Sequence, residues 1–104
     1  MPVPVAAARK ALQNASAVVI DIREPSEHAT GIAQGVRLLP MSQLSKRIGE
    51  VPKTSEQPVL LICNTQNRSA RVAEQLRAAG YTNISYVNGG MSQWARLNWP
   101  MVAP

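Results

Sequence analysis

The residues best placed to do chemistry form one short run, Cys63-Asn64-Thr65-Gln66-Asn67-Arg68-Ser69, which follows the apolar stretch Pro58-Val59-Leu60-Leu61-Ile62. Its first member is the single cysteine of the chain. A thiol at the carboxyl end of a buried strand, followed by a polar loop and a helix start, faces backbone N–H groups and the positive end of that helix. Arg68 adds a full positive charge. All three favour a charged sulfur, the form that acts as a nucleophile. The plainer alternative is that Cys63 packs as a small hydrophobe, since free cysteine is among the most buried residue types. The conjunction of strand end, polar loop, arginine and helix start favours the nucleophile. By themselves these residues define an anion-binding cysteine loop, which would serve a sulfur carrier, a phosphatase or an arsenate-type reductase equally well.

Other polar residues take lesser parts. Asp21 and Arg23, two apart at a strand end, read as a partly buried structural pair rather than as catalysts. Arg68 has two readings, binding the charge of a donor or pairing with an acid such as Asp21 or Glu27. Ser69 serves both at the helix start and as a hydroxyl donor near the sulfur. His28 is read as packed or exposed, because an ionised Cys63 needs no general base. Trp94 and Trp99 read as packing residues. With only Cys63 and His28 as soft ligands, a closed four-ligand zinc site cannot be built within one chain, and a lone cysteine forbids an internal disulfide. No metal and no cofactor are expected.

The elements that must hold this loop are legible from apolar runs and helical spacing. Ala17 to Ile22 and Pro58 to Ile62 read as strands buried on both faces, with Ile84 to Val87 and Val36 to Leu39 as shorter candidates. From Ser69 to Ala79 the spacing predicts an amphipathic helix with Val72, Leu76 and Ala79 on one face, Asn67 as its cap and Gly80 closing it. Helices are also expected at Pro4 to Gln13, Ser42 to Ile48 and Gly90 to Leu97. Short buried strands alternating with helices imply an α/β fold, a mostly parallel sheet covered on both faces, in which ligands bind beyond the carboxyl ends of the strands.

The chain has 104 residues, 45% of them hydrophobic and 16% charged, which excludes a disordered chain and two ordinary domains. One domain, residues 1–104, is expected. The formal charge of +5 comes from basic residues scattered from Arg9 to Arg96, without a tract or aromatic interleaving, so a small anionic substrate suits it better than nucleic acid. No run approaches the length of a membrane span, and the charges Arg9 and Lys10 follow the opening apolar stretch rather than precede it. No membrane association is expected, and a cytoplasmic location is.

Three blocks in order resemble the single-domain rhodanese family of thiosulfate sulfurtransferases, over about Val18 to Met101. The first is Val19-Ile20-Asp21-Ile22-Arg23-Glu24-Pro25-Ser26-Glu27-His28, similar to the family's apolar strand, Asp-x-Arg, Glu-Pro-x-Glu and an aromatic. The second is the Cys63 loop with Ser69 and its helix. The third is Val87-Asn88-Gly89-Gly90-Met91-Ser92-Gln93-Trp94, similar to the family's Gly-Gly-x-x-x-Trp segment.

The resemblance implies a rhodanese-like fold, a five-stranded mostly parallel sheet with helices on both faces. It implies that Cys63 carries a sulfane sulfur as a persulfide, with the backbone of Asn64, Thr65, Gln66, Asn67, Arg68 and Ser69 cradling the terminal sulfur. The donor would be thiosulfate or another persulfide, and the acceptor cyanide or a thiol, with a sulfur-relay protein as a further partner. Such ping-pong transfer needs neither metal nor second cysteine. The alternative within the same fold is a non-catalytic module that binds a partner protein. Related phosphatases carry Cys-x5-Arg, whereas Cys63 to Arg68 is Cys-x4-Arg, a loop suited to a sulfur-sized group. The sequence departs from the family pattern at Gln66, where glycine is frequent, and at Gly31-Ile32-Ala33-Gln34-Gly35-Val36, where Gly-His-Ile-Pro-Gly-Ala is common. Glycine at position 66 would allow a positive φ and open amide access; its replacement is expected to narrow the pocket or change the acceptor.

Overall fold

The computed structural model describes residues 2–104. Five strands pair in the order β1-β5-β4-β2-β3: β1 is Pro2–Pro4, β2 Val18–Asp21, β3 Arg37–Leu38, β4 Val59–Ile62 and β5 Ile84–Asn88. Every pairing in the sheet is parallel, so the expected mostly parallel sheet is wholly so. The central strand, β4, is flanked by β2 on one side and β5 on the other, with Asp21 opposite Ile62 and Leu61 opposite Tyr86. Burial on both faces explains why β4 is an uninterrupted apolar run rather than an alternating one.

Alternation along β4 sends Val59, Leu61 and Cys63 to one face and Leu60 and Ile62 to the other. The first face is covered by α3, Asn67–Ala78, through Val72, Ala73 and Leu76. The second is covered by α1, Val5–Asn14, and α4, Gly90–Arg96, through Val5, Ala8, Ala11, Met91 and Trp94. Leu61 is 1% exposed, a position where truncation to alanine costs about 2–5 kcal/mol. The remaining helix, α2, is the single turn Pro25–His28, which sets Glu27 near the carboxyl ends of the strands.

Three expectations are corrected. Ser42 to Ile48 is not an α-helix; two 3-10 turns, Met41–Gln43 and Ile48–Glu50, occupy the region. The Arg47 side chain bonds Leu38 O, Gln43 Oε1 and both Glu50 oxygens, which fixes short turns where a seven-residue helix would offer few internal bonds. Asn67 is not the cap of α3 but its first residue. Gln66 stands at the cap position and its side chain is directed elsewhere. Pro4 ends the edge strand β1 and α1 starts at Val5, so the fifth strand lies in a Pro-Val-Pro segment that no apolar run announces.

Candidate active site

Cys63 follows the last residue of β4 and is 1% exposed, its sulfur on the α3 side of the sheet. The first turn of α3 brings Ser69, itself buried, to meet it. The thiol donates to Ser69 Oγ at 3.3 Å, and the Ser69 hydroxyl donates to Gln66 O at 3.2 Å. On ionisation of the thiol the same hydroxyl can turn and donate to the sulfur. Ser69 is thus the hydroxyl neighbour expected, placed third in the helix rather than at its edge.

The loop between them has a consistent polarity. Its carbonyls are tied from behind: Met91 N–H donates to Cys63 O and Ser92 N–H to Asn64 O, each at 2.8 Å. Its amides are left over. Asn67, Arg68 and Ser69 precede any intrahelical acceptor, and none of the backbone N–H groups of residues 64–69 donates to a protein acceptor among the described residues. Six consecutive free donors beside one sulfur suit an anion. The side chains of Asn64, Thr65 and Asn67 lie toward solvent and make no hydrogen bond among the described residues.

Gly90 is the residue that lets α4 reach the loop, and sequence reasoning assigned it no such part. It has φ +56°, and a Cβ there would stand 2.3 Å from both Cys63 O and Thr65 O. The Gly89-Gly90 pair reads in the sequence as part of the family-like Gly-Gly-x-x-x-Trp segment and as a helix start; the close approach of backbone to backbone is a matter of tertiary packing.

Arg68 resolves toward its structural reading. Both of its terminal nitrogens donate to the Glu27 carboxylate at 2.7 Å. The Arg68 guanidinium holds the Glu27 carboxyl down at about 2, against the opposing effect of partial burial. Arg68 is raised in turn, first by its hydrogen bond to Glu27, with a smaller contribution from nearby Cys63. Glu27 also accepts from Glu24 N–H at 3.0 Å, which anchors it to α2.

Asp21 and Arg23 form the structural pair expected. The Arg23 Nε and Nη2 donate to the Asp21 carboxylate at 3.0 and 2.8 Å, and Nη2 also donates to Gly31 O at 2.8 Å. Both residues are buried, and His28 packs beside them at 4% exposure. Its Nε2 lies 3.4 Å from Asp21 Oδ1 without hydrogen-bond geometry. None of these three side chains hydrogen-bonds the Cys63 sulfur, whose partner is Ser69. Gln66 has φ −148°, so in this chain the loop places no left-handed residue at that position.

The fold has counterparts in known proteins. Residues 5–97 match the family model described as Rhodanese-like domain. The chain is 41% identical over 78 residues to the uncharacterised protein YqhL of Bacillus subtilis, covering 75% of this chain and 60% of that one. It is 34% identical over 87 residues to a sulfurtransferase of Allochromatium vinosum, covering 84% and 79%. The crystal structure of a rhodanese-related protein from Thermoplasma volcanium superposes with a TM-score of 0.85 at 27% identity, covering 99% of this chain and 98% of that one. A five-stranded parallel sheet, a cysteine loop closing onto α3 and a match across almost the whole chain lead to one assignment: the chain belongs to the rhodanese-like domain family.

Proposed function

We propose that the protein is a sulfurtransferase that moves a sulfane sulfur from thiosulfate or a persulfide donor to a thiol or cyanide, through a persulfide on Cys63. The observation that carries this reading is the run of six backbone amides, without a protein acceptor among the described residues, in the loop that follows the chain's one thiol. The Cys63 thiolate attacks the outer sulfur of thiosulfate; a Cys63 S–S bond forms, the S–S bond of thiosulfate breaks, and sulfite departs with its electron pair. The terminal sulfur then carries the negative charge, and the amides of residues 64–69 are the donors available to it. Attack by cyanide or a thiolate on that sulfur restores the Cys63 thiolate. Ser69 supplies the hydroxyl that follows the change in charge, and Arg68, neutralised by Glu27, shapes the loop rather than binding the donor alone. A reducing, cytoplasmic setting suits a single free thiol, and a relay protein is a natural donor for a sulfur this sheltered.

A second reading, a rhodanese-like module that binds a partner without catalysis, draws on the burial of Cys63 at 1%. Intact mass after incubation with thiosulfate, and again after cyanide, separates the two. Transfer requires a gain of one sulfur atom, removed by cyanide and absent from Cys63→Ser and Cys63→Ala variants that keep the native circular dichroism. A thiol that neither gains sulfur nor reacts with alkylating agents in the folded protein favours the module.

A further inference from the structure

The Cys63 loop is fastened unevenly. Cys63 and Asn64 are tied to α4 through their carbonyls, and Gln66 O accepts from Ala70 N–H at 2.8 Å at the start of α3. Thr65, between these anchors, makes no hydrogen bond with the described residues. One side chain spans this stretch: Gln66 Oε1 accepts from Gly89 N–H at 3.2 Å. Because a backbone amide only donates, the atom facing it is the carboxamide oxygen and not the nitrogen. The same residue accepts the Ser69 hydroxyl on its main-chain oxygen, and that hydroxyl lies 3.3 Å from the sulfur. Gln66 therefore joins three things through its own atoms, namely the turn between β5 and α4, the start of α3, and the partner of the reactive thiol.

We propose that Gln66 is a positioning residue for sulfur transfer, its carboxamide holding the loop to Gly89 so that the amides on either side of it point at the terminal sulfur of the Cys63 persulfide. The inference rests on the reading of Cys63 as sulfur acceptor. The directions of the Gln66 and Asn67 N–H groups are set by the two peptide planes that meet at Gln66. The carbonyl bond to Ala70 holds the second plane, and the side-chain tie to Gly89 restrains Gln66, where the first plane meets it. Released from Gly89, the loop keeps its anchors at Cys63, Asn64 and Ala70, so the fold persists while the donors lose their common aim. The cost falls on the species that carries charge on the terminal sulfur, which is the persulfide.

The quantity to measure is the partition of Cys63 between thiol and persulfide at fixed ratios of thiosulfate to sulfite, read by intact mass. The Gln66→Met variant has similar length without an acceptor, and Gln66→Asn retains the amide without the reach. Loss of one hydrogen bond's worth of stabilisation shifts the equilibrium about threefold to tenfold against the persulfide. At the ratio that half-loads the native chain, both variants should then load only about a quarter to a tenth of their cysteine. A strut with a purely structural role would lower the melting temperature and leave this partition unmoved. Native half-loading in either variant, folded by circular dichroism, overturns the proposal. Failure of the native chain to take sulfur at all removes the reading of Cys63 beneath it, a different result that is read before any variant is made.

Discussion

Replacing Gly90 by alanine puts a methyl group where two carbonyl oxygens already lie. The added Cβ would stand 2.3 Å from Cys63 O and from Thr65 O, and 2.8 Å from the Asn64 carbonyl carbon, all backbone atoms that cannot rotate away. A φ of +56° costs an alanine roughly 1–2 kcal/mol, and forcing the backbone apart adds about 1–3 kcal/mol, by analogy with overpacked cores. The sum, about 2–5 kcal/mol, lowers the melting temperature of a chain this size by roughly 10–25 °C, at about 5 °C per kcal/mol. Two glycines calibrate the measurement. Gly49 has nothing within 4 Å of an added Cβ, so Gly49→Ala should move stability by no more than about 1 kcal/mol. Gly89 has φ +85°, but the clash is with the end of the flexible Gln93 side chain, so Gly89→Ala should fall between the other two. Thermal unfolding by circular dichroism gives the order, and sulfur loading of the folded fraction tells whether the loop has been displaced. A Gly90→Ala protein that melts within about 3 °C of Gly49→Ala would refute the claim that α4 abuts the loop backbone.

The remaining predictions concern the charged pairs. Glu27 is held at about 2, below its ordinary 4.5, so its pairing with Arg68 stabilises the fold in full above about 4.5 and is lost as pH falls from there through 2. The stability gap between the native chain and Glu27→Gln should therefore be constant from pH 7 to 5, at about 1 kcal/mol after screening of this part-exposed pair, and close in acid; a gap that widens on acidification would contradict the assignment. Arg23→Met leaves the Asp21 carboxylate buried without its partner and should cost about 3–5 kcal/mol in urea unfolding. Adding Asp21→Asn should recover part of that loss, whereas strictly additive losses would show that the two side chains do not act as a pair.

Much of the fold was legible because burial writes itself into composition. The strands β2, β4 and β5 are apolar runs, and α3 carries a clear helical stripe. What was not legible is what depends on partners far along the chain. Pro2–Pro4 becomes a strand only because β5 offers it an edge, and Leu44 and Ile48 mimic helical spacing in a segment whose turns are tied by Arg47. In the candidate site, strand end and helix start are local signals, and Ser69 does lie beside Cys63 as they suggest. The sequence left the partner of Arg68 open between Asp21 and Glu27, because Glu27 is 41 residues away, and it did not foresee the bond to the Gln66 carboxamide, because its donor, Gly89, lies 23 positions on.

The bonds from Met91 and Ser92 to the carbonyls of Cys63 and Asn64 also tie the loop to a segment made after it during synthesis. When Cys63 leaves the ribosome, β4 has β2 to pair with, yet nothing holds the loop's carbonyls away from the thiol until about thirty further residues follow. A nascent chain that ends short of residue 84 lacks both β5 and these two donors, so its Cys63 loop has neither the completed sheet nor α4 beside it. The surroundings of the Cys63 loop are therefore a product of the completed topology, reached when β5 and α4 join the sheet.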